Sequence, residues 1–310
     1  MTVDLGTLAE LVRAPAALTV PGDTAAGGAV SPGLALSSVC LYWAGMALND
    51  YADRDLDAEE RPERPIPSGR VRPGQALGLA AGLTATGLFL AARTGGRGAL
   101  GVATGLAAVV WAYDLVLKDT AAGPLAMAAA RGLDVFLGGT VPASPRSGVL
   151  PGTSAGRRVP PGSGRARLLA AGAVAAHTYG VTALSRGEVS GGSTARSAAA
   201  LTATALAAGL AAVHVSSAIA PAGAQPAVTA GKLAALGLVG AYAGLVGRAQ
   251  LAAARTPDAG RTRTAVGQSI LGLLPLQAAL TAGRGHLATA VALAVAHPLA
   301  RRLSRKVSPT

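Results

Sequence analysis

The rest of the chain is arranged around one stretch, which reads Asn49-Asp50-Tyr51-Ala52-Asp53-Arg54-Asp55-Leu56-Asp57 and is followed by Arg61-Pro62-Glu63-Arg64-Pro65-Ile66-Pro67-Ser68-Gly69-Arg70. This block of charge begins where an apolar segment of helix length ends. If residues 41–57 form one helix, Asp50, Asp53 and Asp57 stack on one face, with Asn49 beside them. Carboxylates near a helix C-terminus oppose the helix dipole, so helix stability does not explain them. The pattern predicts a cation on that face.

The composition indicates an integral membrane protein. The 310 residues are 51% hydrophobic and 14% charged, whereas soluble domains are about 25% charged. The charges are confined to short stretches between apolar runs of the length that spans a bilayer, roughly 17 to 25 residues. The 42 glycines suit transmembrane helices, in which small residues allow close packing. We therefore predict an all-α, polytopic membrane helix bundle of about nine transmembrane helices, with ten as the alternative.

Ten apolar segments are candidate membrane spans within a single domain of residues 1–310. The first is broken by Pro15 and Pro21 and contains Arg13 and Asp23. The last two can also be read as one span and a surface helix. Residues 143–165, rich in Pro, Gly and Ser, are predicted to be a disordered loop insert. The predicted segments are 10–29, 31–50, 74–93, 97–117, 122–142, 166–184, 196–219, 227–251, 264–283 and 286–303.

The positions of Lys and Arg predict the orientation. With ten spans, most loop Lys and Arg residues fall on the side of the acidic block, which the positive-inside rule assigns to the cytoplasm. Nine spans would leave the basic C-terminus outside. The net charge of +12 is therefore read as loop charge, and no nucleic-acid partner is predicted. We expect a multi-pass protein of a bacterial cell membrane with its active site on the cytoplasmic face.

The arginines after the acidic block are Arg61, Arg64 and Arg70, and the chain between them contains three prolines. Proline restricts its own backbone and that of the preceding residue, which holds the loop extended. Guanidinium groups on such a loop suit a diphosphate, because their planar fork matches phosphate oxygens. The alternative is positive-inside charge with no ligand.

Three further polar clusters are candidates for chemistry. In Tyr113-Asp114-Leu115-Val116-Leu117-Lys118, the i,i+4 spacing of Asp114 and Lys118 predicts either a surface ion pair or a phosphate contact by Lys118. In Arg131-Gly132-Leu133-Asp134, charges in the middle of a span predict a polar pocket or a mutually neutralising pair. The last cluster, Ser185-Arg186-Gly187-Glu188, follows the sixth span. The four histidines share no metal-binding spacing and are expected to be packing residues.

These motifs resemble the UbiA superfamily of intramembrane prenyltransferases. Residues 49–57 match its first acidic motif, the arginine and proline loop resembles that of digeranylgeranylglyceryl phosphate synthases and 4-hydroxybenzoate polyprenyltransferases, and residues 113–118 are similar to its tyrosine and lysine motif. The resemblance implies a UbiA-like bundle in which Mg²⁺ and acidic motifs bind a polyprenyl diphosphate donor. A small-molecule acceptor, aromatic or lipid-like, then takes the prenyl group within the membrane, among membrane lipids.

The resemblance also implies roles for individual residues. Asp50, Asp53 and Lys118 would be catalytic, with Lys118 and Arg64 stabilising the leaving diphosphate. Asp50, Asp53, Asp57 and Glu188 would bind Mg²⁺. The substrate-binding residues would be Asn49, Arg61, Arg64, Arg70, Tyr113, Arg131, Asp134 and Arg186.

The second acidic motif departs from the family pattern. Family members carry two aspartates after the sixth helix, whereas this chain offers Glu188 beside Arg186. Either Glu188 serves alone or the diphosphate is bound without ordinary transfer. Two alternatives stay open: a terpene cyclase on the same scaffold, and a non-catalytic lipid-binding protein or transporter.

Overall fold

The structure is a computed structural model that describes residues 4–28, 30–140, 164–187, 192–217 and 226–304. Within these residues all regular structure is helical, as predicted. The helices are α1 (Leu5–Leu11), a 3₁₀ helix (Ala14–Thr19), α2 (Pro21–Gly27), α3 (Pro32–Ala52), α4 (Arg54–Glu60), α5 (Pro73–Ala112), a π-helix (Tyr113–Leu117), α6 (Gly123–Gly138), α7 (Gly164–Ser185), α8 (Thr194–Ser217), α9 (Pro226–Arg255), α10 (Ala259–Gly283) and α11 (Leu287–Ser304).

The first predicted membrane segment, 10–29, is not one helix. The chain from residue 5 to residue 27 forms three short helical pieces, because proline at positions 15 and 21 removes the N–H groups that a continuous helix needs. Arg13, between the first two pieces, has left-handed backbone dihedrals, φ 47° and ψ 53°. The breaks lie at the prolines, as predicted, and the segment runs from one end of the bundle to the other.

Helix α3 places the acidic block at one end of the bundle. Ser31 caps its first turn by accepting from the N–H of Leu34, and the helix ends at Ala52. Asp53 leaves the helical conformation, with φ −90° and ψ 3°, and α4 then begins. The predicted continuous helix over 41–57 is therefore divided at Asp53. We call the end of the bundle at which α3 ends the acid end.

Helix α5 is a hairpin of two antiparallel halves. Gly96 interrupts it with φ 66° and ψ −154°, a left-handed conformation that glycine adopts without a steric cost. The indole Nε1 of Trp111 donates to the hydroxyl of Thr84 at 3.1 Å, yet 27 residues of straight helix would separate them by about 40 Å. The two halves correspond to the predicted segments 74–93 and 97–117.

The later helices alternate in direction between the acid end and the opposite end. Arg186, after α7, hydrogen-bonds the carbonyl of Lys118 at the acid end, and Arg284, after α10, hydrogen-bonds the carbonyl of Ala26 at the opposite end. Five described helices are long and apolar enough to cross a membrane. Helix α6, with 16 residues, is shorter than the predicted segment 122–142. The exact number of spans stays a prediction.

Two further predictions, one about the loop insert and one about the histidines, have different outcomes. Most of the insert at 143–165 lies outside the described residues, but Gly164 and Arg165 belong to α7 and are helical. The packing role of the histidines is supported at His177, which is buried and contacts the hydroxyl of Tyr242 at 3.0 Å. The bundle core around this pair consists of small and branched side chains from α2 and α6 to α10.

Candidate functional site: a buried acid cluster at the end of an apolar cavity

Asp50 and Asp57 are held together by one arginine of the proline loop. Both carboxylates are buried, and Nη1 of Arg64 lies 2.8 Å from Asp57 and 3.3 Å from Asp50. The loop can return Arg64 to the helix end because the N–H of Val71 hydrogen-bonds the carbonyl of Pro65 and closes the turn. The predicted cation on this face is therefore supplied in part by the protein itself.

A second arginine reaches the same carboxylate from the N-terminal segment. Nη2 of Arg13 donates to Asp50 at 2.9 Å and lies 3.4 Å from the amide oxygen of Asn49. Sequence reasoning noted Arg13 only as a charge that weakened the first span. Its position inside an apolar segment could have indicated this role, because a charge within such a segment usually pairs with another charge inside the bundle.

Asp53 pairs with Lys118 across two helices. The π-helix at Tyr113–Leu117, closed by a hydrogen bond from the N–H of Lys118 to the carbonyl of Tyr113, shifts the register of the chain end relative to an α-helix. Lys118 then forms its ion pair with Asp53 rather than the predicted i,i+4 pair with Asp114. The lysine is mostly buried, with 14% of its side chain exposed. The expectation that it lies beside the acids is met.

Asp114 completes a group that we call the acid cluster, namely Asn49, Asp50, Asp53, Asp57 and Asp114. Asp114 is buried and accepts a hydrogen bond of 3.3 Å from the amide of Asn49. Among the described residues it forms no ion pair within 4.0 Å. Sequence reasoning treated it only as a neutralising neighbour of Lys118.

The acid cluster suits Mg²⁺ in its donor chemistry. Oδ2 of Asp50, Oδ2 of Asp53 and Oδ2 of Asp114 have no hydrogen-bond partner among the described residues. No three metal-ligating side chains converge on one point in the described part of the chain. Mg²⁺ nevertheless needs only one or two carboxylates when phosphate oxygens and water complete its octahedron. The residues therefore fit the ion together with a phosphate ligand.

An apolar cavity of about 200 Å³ extends from the acid cluster into the bundle. One face of α3 forms its wall, since Ser38, Tyr42 and Met46 recur every four residues. Asp114 and Tyr113 lie at the acid end of the cavity, and Arg131 and Asp134 lie deeper in the bundle. Its described lining is Val20, Ser38, Leu41, Tyr42, Gly45, Met46, Leu106, Val110, Tyr113, Asp114, Met127, Ala130, Arg131 and Asp134.

Arg131 and Asp134 both line this cavity, but they do not form the mutually neutralising pair that was the alternative to a pocket. Nε of Arg131 lies 2.8 Å from the fully buried Asp23 of α2. Asp134 instead accepts a hydrogen bond of 2.5 Å from the hydroxyl of Ser38. The i,i+3 spacing was misleading because each side chain points to a different neighbouring helix.

Several predicted site residues lie at the edge of the acid cluster or away from it. Arg70 forms a bidentate pair with Glu10 at the surface, with distances of 2.5 and 2.9 Å. Arg61 lies 3.7 Å from Asp57, and 44% of its side chain is exposed. Arg186 hydrogen-bonds the carbonyls of Lys118 and Thr120 and so fixes the chain after the π-helix. Glu188, the predicted fourth metal ligand, lies outside the described residues.

The family model of the UbiA prenyltransferase family matches residues 16–264, which include the acid cluster and the cavity. The chain belongs to the UbiA prenyltransferase family. The predicted resemblance is thereby confirmed.

Curated relatives match over shorter stretches. A digeranylgeranylglyceryl phosphate synthase of Methanothrix thermoacetophila is 47% identical over 62 residues, which is 20% of this chain and 23% of that protein. A 4-hydroxybenzoate octaprenyltransferase of Paraburkholderia phymatum is 43% identical over 58 residues, which is 18% of this chain and 20% of that protein. These matches thus span about a quarter or less of the relatives' length.

Solved structures of other UbiA homologues have the same fold. The apo structure of a homologue from Aeropyrum pernix K1 has a TM-score of 0.57 at 20% identity, over 90% of this chain and 98% of that chain. A homologue from Archaeoglobus fulgidus, bound to GPP and Mg²⁺, has a TM-score of 0.56 at 14% identity, over 88% of this chain and 99% of that chain. The likeness confirms a UbiA-type helical membrane fold.

Proposed function

We propose that this protein transfers a prenyl group from a prenyl diphosphate to a small acceptor within the membrane, with Mg²⁺ as cofactor. The observation that carries the proposal is the position of the acid cluster. Buried carboxylates with unused oxygens lie at the polar end of an apolar cavity, so that a diphosphate and a hydrocarbon chain can bind side by side. The GPP and Mg²⁺ of the Archaeoglobus fulgidus homologue support this assignment by analogy.

Asp50, Asp53 and Asp114 are the residues that would hold Mg²⁺, through the oxygens left free by Arg13, Lys118 and Asn49. When bound, Mg²⁺ neutralises diphosphate charge and so makes the diphosphate a better leaving group. The carboxylates also keep the cationic side chains near the site before substrate arrives. Asp57 would not bind Mg²⁺ directly, since both of its oxygens face arginines at 2.8 and 3.7 Å.

Lys118, Arg64 and Arg13 would stabilise the charge that develops on the diphosphate. In the proposed reaction the bond between the allylic carbon and the diphosphate oxygen breaks, and the electron pair remains on that oxygen. A new bond forms between the allylic carbon and the acceptor, which loses a proton. Preorganised cations at the developing charge are worth several kcal/mol when water is excluded. The apolar cavity wall excludes water from the allylic carbon.

The test compares two neighbouring carboxylates of the acidic block. Asp53 pairs with Lys118 inside the site, whereas the Asp55 side chain is 87% exposed and lies 3.4 Å from Arg54 at the surface. With purified protein, Mg²⁺ and prenyl diphosphates of increasing length, we expect Asp53→Asn to lower product formation by about 10² or more. Asp55→Asn is the matched control and should keep the wild-type rate. Mass spectrometry of products with and without candidate acceptors gives the readout.

Three outcomes of this screen would contradict the proposal. Consumption of the donor without acceptor, with release of a cyclic hydrocarbon, would identify a terpene cyclase instead. Binding of donor without any turnover would indicate a lipid-binding protein or transporter. Equal activity of Asp53→Asn and Asp55→Asn would remove the acid cluster from the reaction.

A further inference from the structure

Two helix ends cross in direct backbone contact at the end of the bundle opposite the acid cluster. A methyl group on Gly27 would overlap the carbonyl oxygen of Val135, and one on Gly138 would overlap that of Thr24. The C-termini of α2 and α6 therefore meet at this crossing. Because the last carbonyls of a helix lack intrahelical partners and carry partial negative charge, the crossing concentrates acceptors at one place.

Two arginines from other helices lie over these ends. Nε of Arg284, which follows α10, donates to the carbonyl of Ala26 at 2.6 Å, and Nη1 of Arg167, in the first turns of α7, donates to that of Gly139 at 2.8 Å. His286 adds a contact of 3.2 Å between its Nε2 and the carbonyl of Gly28. Capping a helix C-terminus is the ordinary structural role of such side chains.

Capping leaves some N–H donors of both guanidinium groups without a hydrogen-bond partner in the described structure. Each has five N–H donors, and the described residues accept from one nitrogen of each. Nη2 of Arg284 is buried and has no hydrogen-bond partner in the described structure. Burial, and to a smaller extent the neighbouring Arg167, lower the pKa of Arg284 to about 10. The two cations thus lie near each other with unused donors.

No carboxylate balances this face among the described residues. The aspartates of α2 and α6, Asp23 and Asp134, lie within their helices, where Asp23 pairs with Arg131 and Asp134 with Ser38. Neither Arg284 nor Arg167 forms an ion pair within the described chain. The charges described at or near the helix ends on this face are all basic, namely Arg93, Arg97, Arg165, Arg167, Lys232 and Arg284.

We propose that Arg284 and Arg167 form a phosphate-binding site at the membrane face opposite the acid cluster, fitted to the headgroup of an anionic phospholipid. Paired guanidiniums match phosphate oxygens in charge and geometry. Basic pockets between transmembrane helices bind anionic lipid headgroups in the same way. The site is separate from the proposed catalytic site and does not depend on it. A free phosphate ion offers the same chemistry, so the experiment distinguishes the two sources.

The experiment measures binding by the thermal stability of the full chain in detergent after lipid removal. Phosphatidylglycerol, phosphatidylcholine and inorganic phosphate are added in separate titrations. We expect phosphatidylglycerol to raise the Tm, since a ligand that binds only the folded state stabilises it, and phosphatidylcholine to have a much smaller effect. Arg167→Gln and Arg284→Gln should each weaken phosphatidylglycerol binding by about tenfold or more, which is about 1.4 kcal/mol.

Controls separate a specific site from general surface charge and from misfolding. Arg97→Gln removes an exposed charge at the α5 turn on the same face, and it should leave the binding of phosphatidylglycerol unchanged. Arg167→Lys keeps the charge but loses the planar fork, and we expect intermediate binding. If Arg284→Gln does not fold, because Ala26 loses its cap, Arg167→Gln still tests the site.

The outcomes are decisive in either direction. A Tm rise with phosphatidylglycerol alone supports a lipid site, and a similar rise with inorganic phosphate supports a site for the free ion. Equal rises with phosphatidylglycerol and phosphatidylcholine, or no rise with any additive, would overturn the proposal. So would a loss of binding in Arg97→Gln that equals the loss in Arg167→Gln.

Discussion

Arg13 donates a hydrogen bond of 2.9 Å to Asp50 from a left-handed backbone conformation, with φ 47°. It is the one non-glycine residue with positive φ in the described parts of the chain. For such a residue this conformation costs about 1–2 kcal/mol. Strain of this kind persists where the surrounding structure enforces it, often at functional sites. Here the left-handed conformation occurs at a residue that pairs with the acid cluster.

Replacements of Arg13 separate strain from charge. Arg13→Gln removes the ion pair and keeps the strained backbone, so we expect a loss of about 1 kcal/mol, as for a partly exposed pair. Arg13→Gly removes the pair but also relieves the strain, and its Tm should stay close to that of the wild type. Both should weaken binding of prenyl diphosphate. Equal destabilisation of the two variants would show that the backbone at this residue is not strained.

Two glycine substitutions should have opposite effects on stability, one at the crossing of α2 and α6 and one on an open face of α5. Gly138→Ala places a methyl group against the backbone of Thr24, and overpacking of this kind costs about 1–3 kcal/mol. Gly101→Ala, in the second half of α5, meets nothing within 4 Å and should stabilise by about 0.5–1 kcal/mol. Thermal unfolding in detergent measures both. A stable Gly138→Ala protein would contradict the close approach of these helices.

Pro275 and His297 are predicted to be energetically coupled. Pro275 lies inside α10 and has no N–H, so the carbonyl of Leu271, four residues earlier, loses its helical partner. Nδ1 of His297 lies 3.0 Å from that carbonyl oxygen. We expect His297→Leu to cost about 1 kcal/mol, the low end of the penalty for an unsatisfied acceptor, because this contact is only partly buried.

A double-mutant cycle tests this coupling. Pro275→Ala restores an N–H for Leu271, so His297→Leu should cost clearly less in that background than in the wild type. Tm values of the four proteins give the coupling energy. An unchanged cost of His297→Leu would mean that the histidine does not replace the missing helical hydrogen bond.

Stability at low pH should depend on Asp258, the N-cap of α10. The N–H of Arg261 donates to its carboxylate at 2.8 Å, and this bond lowers the pKa of Asp258 below the ordinary 3.8. A lowered pKa means that the contribution is complete above the ordinary value and is lost as the pH falls through the lowered one. The Tm difference between wild type and Asp258→Ala should therefore be full at neutral pH and shrink in acid.

Asp258→Asn is the control for that titration. An asparagine side chain caps a helix about as well as aspartate but has no charge to titrate. Its Tm difference from Asp258→Ala should stay constant with pH. If the Tm difference between the wild type and Asp258→Ala stays the same in acid, the carboxylate cap is ruled out.

The sequence was sufficient to predict what depends on local pattern. Alternation of apolar runs and charge predicted the bundle, and the separate segments on either side of Gly96 corresponded to the two halves of α5. The block around Asp50 and Asp53 and the motif containing Lys118 were expected at one end, where they do meet. These features follow from composition and from positions along a single helix, which a sequence displays directly.

The sequence was not sufficient to choose between competing partners in space. Spacing allowed ion pairs of Lys118 with Asp114 and of Arg131 with Asp134 as structural alternatives, yet Asp53 and Asp23 are the observed partners. The π-helix shifts Lys118, and packing of α2 against α6 brings Asp23 to Arg131. Neither register shifts nor helix contacts of this kind can be read from spacing alone, because they depend on the whole bundle.

The cavity described above has a consequence for how the protein is made. Every described residue that lines it lies between positions 20 and 134, and the acid cluster and its four cations lie between positions 13 and 118. Since contacts between nearby parts of the chain form early and N-terminal units fold first during synthesis, this half can assemble while helices α7–α11 are still awaiting insertion. The helices inserted later would then enclose this half, and Arg186 after α7 would fix the chain that carries Lys118.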